Sequence, residues 1–236
     1  MRIAILEDDT DQAALLTHWL SEAGHQCTHF TESKLFIRSL SRDSFDLLIL
    51  DWMVPEMNGL EVLKWARANL DWSVPVLFVT QKEDEKNIVE ALEAGADDYM
   101  TKPVKQLEMA ARVNALARRA GMFDDKETKI DIPPYLIDIE RYTVAVDGEP
   151  VKLTQKEYEL IVFLFKNIGR VVSRSHLLES VWGTNPDINT RTIDTHMSRI
   201  RSKLGIVPES GWRLSSIYQH GYRLEKLSLE DESSKS

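Results

Sequence analysis

Residues 47–50, Leu-Leu-Ile-Leu, form a continuous apolar run that ends abruptly at Asp51. A short unbroken run of this kind marks a strand covered on both faces, and such strands belong to parallel sheets flanked by helices. Asp51 then falls at the carboxyl end of its strand, where open α/β sheets bind their ligands. A carboxylate in that position is expected to be half-exposed, charged and rigidly framed. Pro55, Asn58 and Gly59 supply a turn before a helical pattern resumes at Leu60.

The first 121 residues repeat this unit. Residues 3–6 are a short apolar run followed by Glu7, Asp8 and Asp9. A helix is predicted over 10–23, with Ala14, Leu15, Trp19 and Leu20 as its apolar stripe and Gly24 as its stop. Strand 26–30, helix 33–40, the strand ending at Asp51 and the helix after Gly59 follow. Strand 76–79 ends at Thr80, helix 83–94 closes at Gly95, and strand 98–101 leads to Lys102, Pro103 and a helix over 104–120. The alternation predicts a flavodoxin-like, doubly wound five-stranded parallel sheet. Right-handed crossovers make its first and third strands neighbours, so Glu7, Asp8, Asp51, Thr80 and Lys102 converge on one crevice.

Residues 122–134 are polar, end in Pro133-Pro134 and are expected to be a linker. Beyond it, segments 135–139 and 143–146 precede an Asp147-Gly148 hairpin turn, with a return strand over 151–153. Thr154 and Glu157 form a capping box for a helix over 158–167. Ser173 caps another helix up to Trp182, a third covers 190–204, and 214–224 is a closing hairpin. This order predicts a smaller α+β winged helix-turn-helix domain over 135–227, followed by an acidic, Ser-rich tail, 228–236, expected to be disordered.

The net charge of −9 conceals a division. Residues 1–121 carry 13 Lys/Arg against 20 Asp/Glu, whereas 150–226 carry 12 against 7. The second half is therefore the candidate for a phosphate backbone. One cysteine, Cys27, excludes an internal disulfide framework. No apolar run suits a membrane span, and the acidic start after four apolar residues is unlike a signal peptide, so a cytoplasmic, membrane-free protein is expected.

Three acids in one crevice call for a cation, and hard oxygen donors favour Mg²⁺. Asp51 is placed as a nucleophile forming an aspartyl phosphate, Lys102 as a point charge for the phosphoryl group, and Thr80 as a hydroxyl donor to it. Taken singly, Glu7 and Asp8 suit solvated turns, Lys102 a surface and Thr80 a helix cap. Their joint position at successive strand ends favours the functional reading.

The segments ILEDD, LLILDWMVPEMNGLE, VLFVT and GADDYMTKP resemble the receiver domain of two-component response regulators over about residues 1–120. The resemblance implies Asp8 as a direct Mg²⁺ ligand, Glu7 acting through water, Asp51 as phosphoacceptor and metal ligand, and Met53 as a backbone-carbonyl ligand. It implies Thr80 and Tyr99 as a switch pair and Lys102 as the phosphate's ion-pair partner. Glu93, Asp97, Asp98, Arg112 and Arg119 fit the family's dimer face. Ile88 and Asn114 stand where a basic residue is usual, with Lys86 nearby, and Gln81 replaces a small residue.

In the helix over 190–204, Ile193, Met197, Ile200 and Leu204 form a core stripe. Arg191, Thr195, His196, Ser198, Arg199, Ser202 and Lys203 occupy the rest, with Arg201 on the flank. Arg suits guanine edges and phosphates, and a helix fits the major groove. His196 alone is more often structural. LTQKEYELIVFLFKNIGRVVSRSHLLESVWG, TRTIDTHMSRIRSKLG and HGYRL resemble the OmpR/PhoB-type winged-helix effector domain over roughly 135–226. This implies a recognition helix over 191–203, with Arg199 and Arg201 prominent, and a loop over 184–189 facing RNA polymerase. Tyr218 and Gln219 replace the family's Arg-Gly in the wing, which predicts weaker minor-groove readout.

The whole resembles a regulator phosphorylated on Asp51 by a sensor histidine kinase, forming a homodimer and binding tandem repeats of double-stranded DNA. One rival is a phosphorylation-independent transcription factor that uses its receiver for dimerisation or partner binding. Another is a phosphohydrolase, disfavoured because the pocket has no second general acid and the chain no substrate-recognition insertion.

Overall fold

The computed structural model describes residues 1–70, 74–120, 128–183, 191–218 and 220–227. The chain divides into two compact units, Met1–Phe123 and Asp124–Ser236.

In the first unit, β1 (Arg2–Leu6), α1 (Thr10–Glu22), β2 (Gln26–Phe30), α2 (Ser33–Leu40) and β3 (Leu47–Leu50) follow one another. They continue through α3 (Gly59–Asn69), β4 (Val76–Thr80), α4 (Glu85–Glu93), β5 (Asp98–Thr101) and α5 (Gln106–Arg119). The five strands pair in parallel in the order β2-β1-β3-β4-β5. Ile3, Ile5, Leu47, Ile49, Leu77 and Val79 pack with Leu16 and Leu20 of α1 and Val113 and Leu116 of α5. The alternate residues Ala4, Leu6, Leu48, Leu50 and Phe78 point to the opposite face and are equally buried. Both faces being covered, β1, β3 and β4 read as almost unbroken apolar runs, and a register slip would draw Glu7 or Asp51 into hydrocarbon.

The predicted stripe of α1 holds at Trp19 and Leu20 but not at Ala14 and Leu15. Ala13, Leu16 and Leu20 are buried, whereas Leu15 is 45% exposed. The Asp9 carboxylate caps the amides of Asp11 and Gln12, and that start turns positions 13, 16 and 20 toward the sheet. Four consecutive apolar residues at 13–16 permit either phase, so only the sheet decides. At α3, Asn58 and Glu61 form a reciprocal capping box. Gly59 lies so close to the end of β3 that a Cβ would meet the Asp51 carbonyl oxygen at 2.0 Å.

The second unit opens with β6 (Lys129–Ile132), β7 (Tyr135–Asp138), β8 (Thr143–Val146) and β9 (Glu149–Pro150), an antiparallel sheet in that order. The expected linker, 122–134, therefore contains a strand: β6 pairs with β7, and residues 122–127 lie outside the described residues. Lys129 and Asp131 make β6 look like polar linker, while Ile130, 6% exposed, joins the core. The return strand expected at 151–153 begins and ends earlier. Asp147 (φ 51°) and Gly148 (φ 83°) make so tight a turn that pairing starts at Glu149 and finishes where the Val151 amide reaches the Val144 carbonyl.

Then come α6 (Gln155–Lys166), β10 (Val172–Ser173), α7 (Arg174–Trp182), α8 (Arg191–Leu204), β11 (Trp212–Ile217) and β12 (Gly221–Lys226). Strands β10, β12 and β11 form a three-stranded sheet in that order. Thr154 caps α6 with Glu157, as the sequence predicts. The stripe Ile193, Met197, Ile200 and Leu204 lies in a core shared with Tyr135, Leu160, Leu177, Trp212 and Leu224, leaving the opposite face of α8 outside. The tail, 228–236, lies outside the described residues.

Candidate phosphoacceptor pocket and nucleic-acid interface

The parallel register aligns Leu6 with Leu50 and Leu50 with Phe78, so the strand ends form one rim. Glu7 and Asp51 are adjacent there, with the Asp51 amide donating to the Leu6 carbonyl at 2.9 Å. Lys102 reaches in from the end of β5, its own amide bonded to the Thr80 carbonyl at 2.8 Å. Its Nζ donates to Glu7 Oε2 and to Asp51 Oδ2, each at 2.7 Å. The Met53 amide donates to Asp51 Oδ1 at 3.0 Å.

Asp51 is not half-exposed. It is 5% exposed, and Glu7 2%. The Lys102 side chain lies across both, and Trp52, 6% exposed, covers the next position. Asp8 is exposed, and oxygens of Glu7, Asp8 and Asp51 lie within 4.8 Å of one another. Burial raises the Glu7 carboxyl above its usual range; Lys102 pulls it back and Asp51 pushes it up again. Burial would lower the Lys102 ammonium, but its bonds to Asp51 and Glu7 win and raise it. One cation against three carboxylates leaves an oxygen-only donor set with uncompensated negative charge. Beside it a cleft of about 400 Å³ is lined by Gln12, Leu15, Leu16, Gln81, Lys102, Pro103 and Val104.

On α8, Arg191, Thr195 and Arg199 are exposed. Arg199 has no ion-pair partner among the described residues. His196 is half-buried, its Nδ1 2.8 Å from the Thr192 carbonyl and its ring edge-on to Trp182 at 5.1 Å, which supports the structural reading of that residue. Two of the predicted DNA contacts are engaged internally. Arg201 Nε donates to the Leu214 carbonyl at 2.8 Å, and Lys203 Nζ donates to Glu157 Oε2 at 2.7 Å and to the Lys152 carbonyl at 3.1 Å. Glu157 is 1% exposed, so it holds its cation firmly. Nothing in a one-dimensional pattern separates a cation that faces solvent from one that reaches back to a buried acid. Tyr218, 84% exposed, stands in the β11–β12 turn; Gln219 and the loop over 184–189 lie outside the described residues.

A family profile described as "Response regulator receiver domain" matches residues 3–114, and one described as "Transcriptional regulatory protein, C terminal" matches 148–224. The sensory transduction protein RegX3 of Mycobacterium tuberculosis is 37% identical over 226 residues, covering 94% of this chain and 98% of that protein. The phosphate regulon transcriptional regulatory protein PhoB of Pseudomonas aeruginosa is 33% identical over 227 residues, covering 96% and 98%. The chain is a response regulator of the OmpR/PhoB family. Among solved structures, the Thermotoga maritima response regulator DrrB is 28% identical, with a TM-score of 0.46, covering 95% of this chain and 98% of that one.

The regulator thus joins a receiver to a DNA-binding output domain. Its expected switch residues are linked through Lys82. Thr80, fully buried, accepts the Lys82 amide at 3.4 Å, and the Tyr99 hydroxyl donates to the Lys82 carbonyl at 2.6 Å. Burial, with Asp51 and Asp84, pushes the Tyr99 hydroxyl up to about 12. The Lys82 ammonium sits 4.6 Å from the centre of the Trp52 ring. Of the expected dimer-face residues, Asp98 and Arg112 pair at 2.9 and 3.0 Å within the chain. Asp97 accepts the Val76 amide at 2.8 Å and Arg67 at 3.0 Å, and Glu93 and Arg119 are exposed. The same surface of α4 exposes Val89 (44%) and Leu92 (45%), which the charge-based reading passed over. Lys82, central to these contacts, carries no local sequence signal at all.

Proposed function

We propose that the regulator accepts a phosphoryl group on Asp51 from the phosphohistidine of a sensor histidine kinase and reports it as sequence-specific DNA binding. The observation that carries this reading is the Asp51 carboxylate, buried yet held by Lys102 Nζ at 2.7 Å and the Met53 amide at 3.0 Å. An Asp51 carboxylate oxygen forms the new P–O bond as the P–N bond breaks, and the phosphohistidine ring, protonated on its other nitrogen, leaves as neutral imidazole. The oxygen donors of Glu7, Asp8 and Asp51, with the Met53 carbonyl, suit Mg²⁺, which would supply charge neutralisation for the phosphoryl oxygens. Lys102 is placed to follow the phosphoryl group, and Thr80 to donate its hydroxyl to it. The cleft beside Lys102, with exposed Leu15, suits an apolar kinase surface.

On the output side, Arg191, Thr195 and Arg199 are the groove-facing residues, with Tyr218 at the wing and His196 positioned from behind. Exposed Val89 and Leu92 support a homodimer through α4, β5 and α5 on phosphorylation, and binding to tandem sites beside RNA polymerase. No helix among the described residues is long and apolar enough to cross a membrane, in keeping with a cytoplasmic placement. The chain acts as a stoichiometric switch rather than an enzyme.

The test is incubation with acetyl phosphate and Mg²⁺. One phosphoryl group per chain, absent in Asp51→Asn, is expected. Continued turnover of the donor would favour the phosphohydrolase. No incorporation, with DNA binding intact, would leave the phosphorylation-independent transcription factor.

A further inference from the structure

Asp194 is the one acid on α8, the helix that otherwise presents cations and hydroxyls. A carboxylate there repels the phosphate backbone, so its presence needs a compensating role. Its Oδ1 accepts the Tyr222 hydroxyl of β12 at 2.6 Å and Arg174 Nε of α7 at 3.0 Å. Arg174 continues to the wing: its Nη2 donates to Ser216 Oγ at 3.1 Å, and its guanidinium lies 4.9 Å from the Tyr222 ring centre. Ser216 and Tyr222 are directly opposed across the hairpin, one pair before Ile217 and Gly221 close the ladder. Three charged or hydroxyl groups therefore tie the first turn of α8 to both strands of the wing, immediately below its tip.

The backbone of the hairpin is fixed independently. At Gly221 (φ 150°), a Cβ would stand 1.9 Å from the Val172 carbonyl oxygen, so β12 rests directly on β10. Arg201, from the other end of α8, holds the Leu214 carbonyl of β11. These contacts hold the two strands by their backbones; among the described residues it is the Asp194 cluster that joins the first turn of α8 by side chains to the wing beside its turn. Base readout needs helix and wing placed together to a fraction of an ångström, whereas phosphate attraction does not.

We propose that Asp194, Arg174 and Tyr222 form a latch that fixes the wing tip against the recognition helix. Asp194 is thereby a positioning residue for sequence discrimination. This rests on the groove-facing role given to α8.

The experiment selects duplexes from a random pool with the full chain. Binding of one selected duplex and of a scrambled duplex of equal length is then measured for wild type, Asp194→Asn and Tyr222→Phe. Tyr222→Phe removes only a hydroxyl and keeps the ring packed, so it guards against a folding defect. Both variants are expected to lose about tenfold or more on the selected duplex, and to keep or gain affinity on the scrambled one. Equal changes on the two duplexes, in either direction, would overturn the latch: Asp194 would then be only a charge or a fold residue. A wild-type chain that enriches no duplex would instead overturn the sequence-specific reading itself.

Discussion

Replacing Lys102 with Met removes the one cation among the described residues that contacts Glu7 and Asp51. The three side chains are 7%, 2% and 6% exposed. Breaking a buried ion pair costs about 3–5 kcal/mol, because the stranded partner cannot be resolvated. The low end applies here, since Asp51 keeps the Met53 amide and Glu7 can take a proton. About 3 kcal/mol in a unit of this size lowers Tm by roughly 12 °C, at about 4 °C per kcal/mol. The pH dependence has a definite sign. Burial already raises the Glu7 carboxyl above its ordinary value of 4.5, and losing Lys102 raises it further. A group whose folded value lies above its unfolded one stabilises below the unfolded value and loses that contribution as pH rises through the folded one. The variant's deficit should therefore be small near pH 4.5 and full at neutral pH, and added Mg²⁺ should close part of it. Calorimetric melts of the first unit's transition at both pH values measure this. A variant that melts with the wild type at neutral pH would refute the electrostatic account of the pocket.

Arg199→Ala should weaken DNA binding by about 1–3 kcal/mol, relaxing specificity at one position if it reads a base and reducing the salt slope by about 1 if it holds a phosphate. Lys203→Ala should leave that slope unchanged and lower the melting temperature of the second unit instead; a reduced slope would return Lys203 to the DNA face. Burial would raise the Glu157 carboxyl, but Lys203 and the Thr154 cap hold it below its ordinary value of 4.5. Its contribution is thus complete above that value and lost as pH falls through the lowered one, a decline that Glu157→Gln should abolish in acid melts. Gly59→Ala should displace the Asp51 backbone and sharply reduce phosphoryl incorporation; full incorporation would show that α3 can retreat without moving the acid.

Much of the first unit was legible because its signals are one-dimensional. Apolar runs at residues 3–6, 47–50 and 76–79, followed by Glu7, Asp51 and Thr80, specify three of the strands and place those groups at one rim. The crossover rule then orders β1 beside β3. Capping at Thr154 and Ser173, in the second unit, is likewise local, since a side chain closes on an amide three residues on. The phase of α1 was not, because four adjacent apolar residues fit two faces and only the sheet chooses between them. Strand β6 was hidden for a different reason: Lys, Ile, Asp, Ile alternates as a strand does, but four residues between a polar segment and Pro133-Pro134 carry too little signal until β7 supplies the ladder.

Composition, periodicity and turn chemistry by themselves determined a parallel sheet with an acidic rim, and a basic three-helix domain with a hairpin at its end. Which groups are desolvated was decided by the tertiary structure alone. Asp51 is buried because Lys102, fifty-one residues later, lies across it. Lys203, though exposed, has its ammonium tied back to the buried Glu157, and Asp194 is turned to the wing by Tyr222 and Arg174. Charge is a property of a residue, but its availability to a ligand depends on what else lies within about 3 Å, and distant segments settle that.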